Sequence, residues 1–519
     1  MNGAENLLQT LVAAGVEVCF ANPGTSEMHL VAAIGKTEAM RPVLCLFEGV
    51  VSGAADGYAR MTDRPALTLL HVGSGFANSM ANQHNAKRAH VPLVNMVGDH
   101  ADYHLQYDAP LTSDVPGHAS LVSDFVRVSE SADDLAQAGA DAVQASLHGA
   151  GRVATFVASA NHAWEEAVET VAPRTPAGLE AVDDETIELI ADALDNGRNT
   201  LLFLGGRALR EEALLAAGRI AAATGARLLC EVFPARLQRG AGRVPLERLP
   251  YFAESAIEAL AEVEQLVLVG APAPVAFFAY PGKPSWLAPE DCEILTLATV
   301  DQDARAALTA VADRLGAAGT PQLVQPAPEL PAPSGELSPV AIGQSLTRLL
   351  PDNAIVIDEA ATCGLGIFPT TARAARHDWL TLTGGAIGDG LPMALGAAIA
   401  CPDRKVVALQ ADGSAMYTIQ ALWSMARERT DVVVVIMNNR SYAILNIELA
   451  RVGAGQLTPK TLSMLDLSRP DLDFVALAQG MGVPATRATT AEEFDAQLAE
   501  ALAQPGPRLI EAMVVQRMP

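Results

Sequence analysis

The chain has 519 residues, 50% of them apolar and 18% charged, with a formal net charge of −25. At ~150 residues per domain that length suggests three domains, each able to bury a core, and the acidic balance argues against a nucleic-acid or anionic-membrane surface, which needs clustered Lys and Arg. Six scattered cysteines without a C-x-x-C pair read as reduced core thiols, no basic-then-apolar leader opens the chain, and no stretch approaches the ~20 apolar residues of a membrane span, so a small-molecule protein of the cytoplasm is expected.

Short β-rich runs alternate with longer helix-patterned ones along the whole chain, the mark of βαβ units on parallel sheets. "VEVCF", "PVLCLFE", "PALTLLHV" and "VPLVNMVGD" are predicted strands of the first part, with a helix over "GFANSMANQHNAKRA". The Pro-rich "VAPRTPAG" (171–178) then reads as a linker. "NTLLFLGG", "ARLLCEVF" and "QLVLVGAP" follow, and a second Pro-rich stretch covers 317–339. The last part offers "NAIVIDE", "WLTLTGG", "KVVALQAD", "DVVVVIMNN" and "PRLIEAMVV". The expected fold is α/β, with three doubly wound parallel-sheet domains over 1–172, 180–320 and 335–519. In open parallel sheets ligands sit beyond the carboxyl ends of the strands, so residues just after those strands are the functional candidates.

Asp412 and Asn439 each follow a predicted strand, 439 − 412 = 27 residues apart. A helical crossover would bring both to one sheet edge, where a carboxylate, an amide oxygen and a main-chain carbonyl make hard ligands suited to Mg²⁺ and a diphosphate. Gly413 and Ser414 are expected to open the next helix, whose free N–H groups attract the same anion. "TGGAIGDGLP" (383–392) supplies a second Gly-rich junction where backbone can approach phosphate, and Thr362 a hydroxyl. Taken singly, Asp-Gly is a turn and Asn-Asn-Arg-Ser a loop. Together they resemble the thiamine diphosphate motif, Gly-Asp-Gly followed some thirty residues later by Asn-Asn, with Ala411 in place of the first glycine.

That resemblance, to the thiamine diphosphate-dependent decarboxylase and synthase family, extends over nearly the whole chain and is weakest in the middle. It implies a pyrimidine-binding first domain, a middle domain and a diphosphate-binding third domain. It also implies that Asp412, Asn439 and the Ser441 carbonyl hold Mg²⁺, and that Tyr442, Gly413, Ser414 and Thr362 lie against the cofactor. Ile387, with Gly385 and Ala386, falls where the family places the bulky residue that props the cofactor into its V shape. Glu48, followed by Ala-Asp-Gly-Tyr-Ala-Arg, matches the glutamate that protonates the aminopyrimidine so that the thiazolium ylide forms. "FANPGTSEMHLVAAI" (20–34) matches the turn, with Pro23 and Gly24, whose backbone covers the pyrimidine; "LLHVGSGFAN" (69–78) makes Asn78 a cofactor contact.

Within the family, the residues around Asp412 are most like those of benzoylformate decarboxylases, with acetolactate synthases next. His71 stands where the former carry a catalytic histidine, suited to protonating the enamine left by CO₂ loss or to orienting a carboxylate. The hydroxyl that orients carboxylate aligns with Thr25, with Ser26 one step along. The second active-site histidine falls in "PVAFFAYPGKPSW" (274–286), where Phe278 and Ala279 stand instead. That leaves room for carboligation, and for Phe277, Phe278 and Tyr280 either to line a pocket or to be core or interface. The implied function is 2-keto acid decarboxylation, with acetolactate synthase-like carboligation and a catalytically weak cofactor-binding regulator as alternatives. A dimer is the implied minimum and a tetramer usual. His100 and His104 in "GDHADYHLQYD" (98–108) have zinc-like spacing but read better as a solvated loop, and neither Gly-rich segment keeps a dinucleotide fingerprint.

Overall fold

A computed structural model describes residues 1–515 except 169, 170, 173, 175, 176, 318, 320–323, 328, 329 and 454–457, so parts of both Pro-rich segments lie outside the described residues. Three α/β sheets follow one another along the chain. The first has six parallel strands, in spatial order Arg41–Leu44, Val18–Ala21, Ala66–His71, Leu93–Asp99, Val153–Ser159 and Phe125–Val128. The second orders Glu247–Arg248, Arg227–Cys230, Thr200–Leu204, Gln265–Val269 and Glu293–Ala298. The third orders Ala485–Ala488, Arg508–Met513, Val432–Asn438, Val406–Ala411, Ala354–Glu359 and His377–Thr381, then adds Leu237–Arg239 antiparallel on its last strand. Helices cover both faces, which is why a central strand such as Val432–Asn438 reads as an unbroken apolar run and is buried along its whole length.

Each sheet has an interior point where the strand order switches direction. In the first it does so between Val18–Ala21 and Ala66–His71; in the third, between Ala354–Glu359 and Val406–Ala411. At such a point the crossovers leave to opposite faces and a crevice opens beyond the strand ends. The residues lying there are Asn22 to Glu27 and His71 in the first sheet, Glu359 and Asp412 in the third.

The outer sheets are joined by two helices that cross at small residues, Glu48–Thr62 and Gly390–Ala400. A Cβ on Gly396 would overlap the Ala54 carbonyl, so glycine is what lets these backbones touch. Their apolar residues, among them Val50, Val51, Leu391 and Met393, share one buried cluster.

Several elements differ from expectation. Arg41–Leu44 stops four residues before Glu48, which instead opens the following helix. The short or mixed strands Phe125–Val128, Val153–Ser159, Glu293–Ala298 and Ala485–Ala488 carry Arg, Thr, Ser or Glu among their apolar residues and gave too weak a pattern. The helix expected after Asp412 is split into a single turn, Asp412–Ala415, and Ala421–Glu428. Between them Thr418 turns back, its Oγ1 donating to Gly388 O at 2.8 Å. Among the described residues no helix is long and apolar enough to cross a membrane.

Candidate active site

In the first domain two carboxylates and an imidazole converge. Glu27, fully buried, accepts from Gly24 N at 2.6 Å and from Ser26 Oγ. His71 Nδ1 lies 3.0 and 3.1 Å from the two Glu27 oxygens and 3.1 Å from Ser26 Oγ. An ionised carboxylate only accepts, so Nδ1 carries the hydrogen and Nε2 is the nitrogen left for chemistry. A Cβ on Gly24 would overlap the His71 ring, so this glycine is fixed by the close approach of the imidazole. Of the two predicted hydroxyl residues, Ser26 reaches His71, whereas Thr25 is exposed. Val72, next to His71, holds φ 44°, a costly conformation for a β-branched residue of the kind that clusters at working sites.

Glu48 is buried at the first turn of its helix, and its Oε2 accepts from Asn78 Nδ2 at 3.0 Å. Its Oε1 lies against the face of Gly75, 3.1 Å from where a Cβ would stand. The helix Val72–Arg88 that carries Asn78 also clamps the third domain. Asn85 Nδ2 donates to Ala386 O at 2.8 Å while Ala386 N donates to Asn85 Oδ1 at 3.2 Å, and Asn82 Nδ2 donates to Gly388 O at 3.1 Å. The segment with Gly385, Ala386 and half-buried Ile387 is therefore held by the same helix that touches Glu48.

In the third domain Asp412 is buried, its Oδ1 accepting from Gly413 N at 2.8 Å and its Oδ2 from Arg440 N at 2.6 Å. Burial raises its carboxyl above the usual range, against the pull of those amides. Asn439 Oδ1 accepts from Ser441 N at 3.0 Å, and Asn439 Nδ2 lies 3.0 Å from Cys363 Sγ, beside Thr362. Tyr442 follows, its ring closing over Gly413. The predicted ligand residues thus share one turn region. A buried carboxylate, an amide oxygen and a main-chain carbonyl form a hard donor set that fits Mg²⁺. Gly413 N is engaged by Asp412, so the expected helix N-terminus contributes less here than the loop itself.

Sequence reasoning missed three residues. Glu27 was legible as the glutamate three places after Gly24, the spacing of a capping box. Glu359 ends a strand at the third-domain reversal and accepts from Gly388 N at 2.5 Å, from Gly390 N and from Gln410 Nε2 at 3.0 Å; burial pushes its carboxyl up to about 7. Asn85 gave no signal. The aromatic run of the middle domain is neither plain core nor plain surface: Phe277 Cζ lies 2.7 Å from where a Gly385 Cβ would be, and Phe233, Tyr251 and Phe278 surround Phe277 at ring separations of 5.6, 5.4 and 5.0 Å. The rings of His100 and His104 lie 5.6 Å apart and tilted by 50°, His104 within an exposed 3₁₀ turn. Among the described residues no three His, Cys, Asp or Glu side chains are grouped to hold a metal.

Comparison with known proteins decides the family. Residues 1–118 match the thiamine pyrophosphate enzyme N-terminal TPP binding domain and residues 367–512 the C-terminal TPP binding domain. Over 515 residues, 99% of each chain, the protein is 52% identical to "Putative acetolactate synthase large subunit IlvX" of Mycobacterium tuberculosis. The chain belongs to the thiamine diphosphate-dependent enzymes. Another of these, benzoylformate decarboxylase of Pseudomonas aeruginosa, is 31% identical over 96% of each chain. The solved structure of the thiamine diphosphate-dependent 4-hydroxybenzoylformate decarboxylase of Rhodococcus jostii RHA1 superposes with a TM-score of 0.88 at 25% identity, covering all of both chains. The protein is accordingly a thiamine diphosphate enzyme of the decarboxylase and carboligase class, as its motifs led us to expect.

Proposed function

We propose that this thiamine diphosphate enzyme decarboxylates a 2-keto acid with the help of Mg²⁺. Thiamine diphosphate, when bound, supplies the electron sink that accepts the pair released with CO₂. Asp412, Asn439 and the Ser441 carbonyl would hold Mg²⁺, with Gly413, Ser414, Thr362 and Tyr442 beside the diphosphate. Pro23, Gly24, Asn78, Gly385, Ala386 and Ile387 would seat the rest of the cofactor. Glu48 Oε1 would face the pyrimidine ring and exchange a proton with it, while Asn78 fixes Oε2. His71 Nε2 delivers or removes the substrate proton, its ring oriented by Glu27, and Ser26 or Thr25 orients the keto acid carboxylate. The single observation that carries this reading is the His71–Glu27 pair, an acid–base group placed by a buried carboxylate at a sheet reversal.

Glu48 and the Asp412 turn complete one site only when two copies of the chain meet, so a homodimer is the minimum and a homotetramer the proposed assembly, in the cytoplasm. Carboligation is the second reading. Phe278 in place of a second histidine favours it: packed on Phe277, which lies beside Gly385, it extends an apolar wall that suits an acceptor carbonyl better than a proton donor does. Incubation with thiamine diphosphate, Mg²⁺ and a panel of 2-keto acids separates the readings. Free aldehyde is the expected product, a hydroxyketone points to the ligase, and cofactor binding without CO₂ release points to a regulatory protein.

A further inference from the structure

Asp389 lies fully buried at the start of the helix Gly390–Ala400, two residues beyond Ile387. Neither of its carboxylate oxygens accepts a hydrogen bond. Its neighbours explain why. Arg60 Nη2 stands 3.9 Å from Asp389 Oδ2, yet all five guanidinium hydrogens are engaged elsewhere. Nε donates to Asp56 Oδ1 at 2.9 Å; Nη2 donates to Asp56 Oδ2 at 2.5 Å and to Thr383 Oγ1 at 3.0 Å; Nη1 donates to the carbonyls of Thr381 and Ala235 at 2.7 and 3.2 Å. Asn85 is beside Asp389, but its amide hydrogens go to Ala386 O and to Asn82 Oδ1. On the remaining side Asp389 Oδ1 is 2.8 Å from where a Cβ on Gly53 would stand. Glu359 adds a third acid, already bonded to the amides of Gly388 and Gly390. Three buried acids therefore face one arginine.

An ionised carboxylate with no donor, held in a dry interface next to another carboxylate, is too costly to persist. One change satisfies the cluster: a proton on Asp389, whose O–H then donates to a lone pair of the neighbouring Asp56. We propose that Asp389 is a positioning residue in its uncharged form, its carboxyl proton shared with Asp56 and pinning the loop that carries Ile387 to the helix that begins at Glu48. Glu48 and Ile387 of one chain belong to different sites of the proposed dimer, so one proton registers the half-sites that a single copy lends to two cofactors. Burial is the main cause holding Asp389 well above the carboxylate range, with the Asp56 charge next and the Glu359 charge adding to it, while Arg60 opposes them. Because the folded carboxyl holds its proton more tightly than the unfolded one, stability tied to it is fullest at low pH and is lost as pH rises.

The test uses the full-length protein, first without cofactor or metal. Its infrared spectrum near neutral pH should contain a carbonyl stretch of a protonated carboxyl that vanishes in Asp389→Asn and survives Glu359→Gln. Asn keeps an N–H donor toward Asp56, so this variant should fold and lose part of the melting-temperature decline that the wild type shows as pH is raised above neutral. Should Asp389→Asn not fold, Asp56→Asn serves instead: it frees Arg60 to pair with Asp389, and the band must again disappear. A band indifferent to both variants, or parallel melting curves, overturns the assignment. A second arm rests on the functional reading above. Thiamine diphosphate affinity should weaken about tenfold over the same rise in pH in the wild type, about 1.4 kcal/mol, and under about twofold in Asp389→Asn. Equal slopes overturn the positioning role. A wild type that binds no thiamine diphosphate at any pH overturns the functional reading instead, and leaves the infrared and melting results to decide the proton.

Discussion

The first and third domains each bring two acids to the candidate site, one or both at the crevice where strand order switches, and the partners of those acids differ. Glu27 and Glu48 are met largely by side chains, His71, Ser26 and Asn78. Asp412 and Glu359 are met mostly by backbone amides. An amide N–H does not titrate, so a carboxylate bound to it is held in place as a rigid brace, even where burial raises its own titration. A carboxylate bound to an imidazole or left with a free oxygen can hand protons on. The same fold position thus serves proton traffic in one domain and cation and loop fixation in the other.

The sharpest way to break this contrast is at Glu48. Glu48→Gln should lower kcat by about 10³-fold while cofactor binding, followed by calorimetry, stays nearly intact, since only a proton is removed. Undiminished turnover would sink the division of labour. Asp412→Ala should do the reverse, weakening Mg²⁺-dependent cofactor retention about 100-fold in the same titration. Its pH trend carries a sign: burial raises the Asp412 carboxyl, so the metal-free protein loses stability as pH rises through that group's titration, while metal affinity grows over the same interval because the ligand must be ionised. Glu27→Gln should cost about tenfold in kcat/KM and displace the limb of the pH profile assigned to His71, leaving cofactor affinity alone. A change in affinity without a change in the profile would place Glu27 with the braces. Smallest is Gly385→Ala. Its φ of 76° and the nearby Phe277 ring predict a loss of about 1–2 kcal/mol in a denaturant titration, part of which Phe277→Ala should restore.

How much of this was readable beforehand follows from what sequence patterns encode. Buried parallel strands betray themselves as apolar runs, so Ala66–His71, Val406–Ala411 and Val432–Asn438 were visible with the residues at their ends, and with them Asp412, His71 and the sheet class. Partners distant in sequence were not. Asn85 meets Ala386 across 301 positions and Arg60 meets Thr381 across 321, and nothing local to either residue announces the other. Glu27 lay in plain view within "NPGTSE", but its duty becomes legible only once the chain reversal sets Gly24 against the ring of His71. Asp389 stood unnoticed within "TGGAIGDGLP" because its meaning comes from Asp56 and Arg60 in another domain.

The three-residue strand Leu237–Arg239 has a consequence for how the chain can be cut. It lies on the outer side of His377–Thr381, and Arg236 just before it binds Asp378 at 2.6 Å and the carbonyls of Arg60 and Met61. Remove the central portion of the polypeptide and the third sheet is left with a bare, aggregation-prone margin of unpaired amides and carbonyls. The middle segment is therefore a lid on a neighbour's flank, and attempts to express the cofactor-holding portions without it should yield insoluble material.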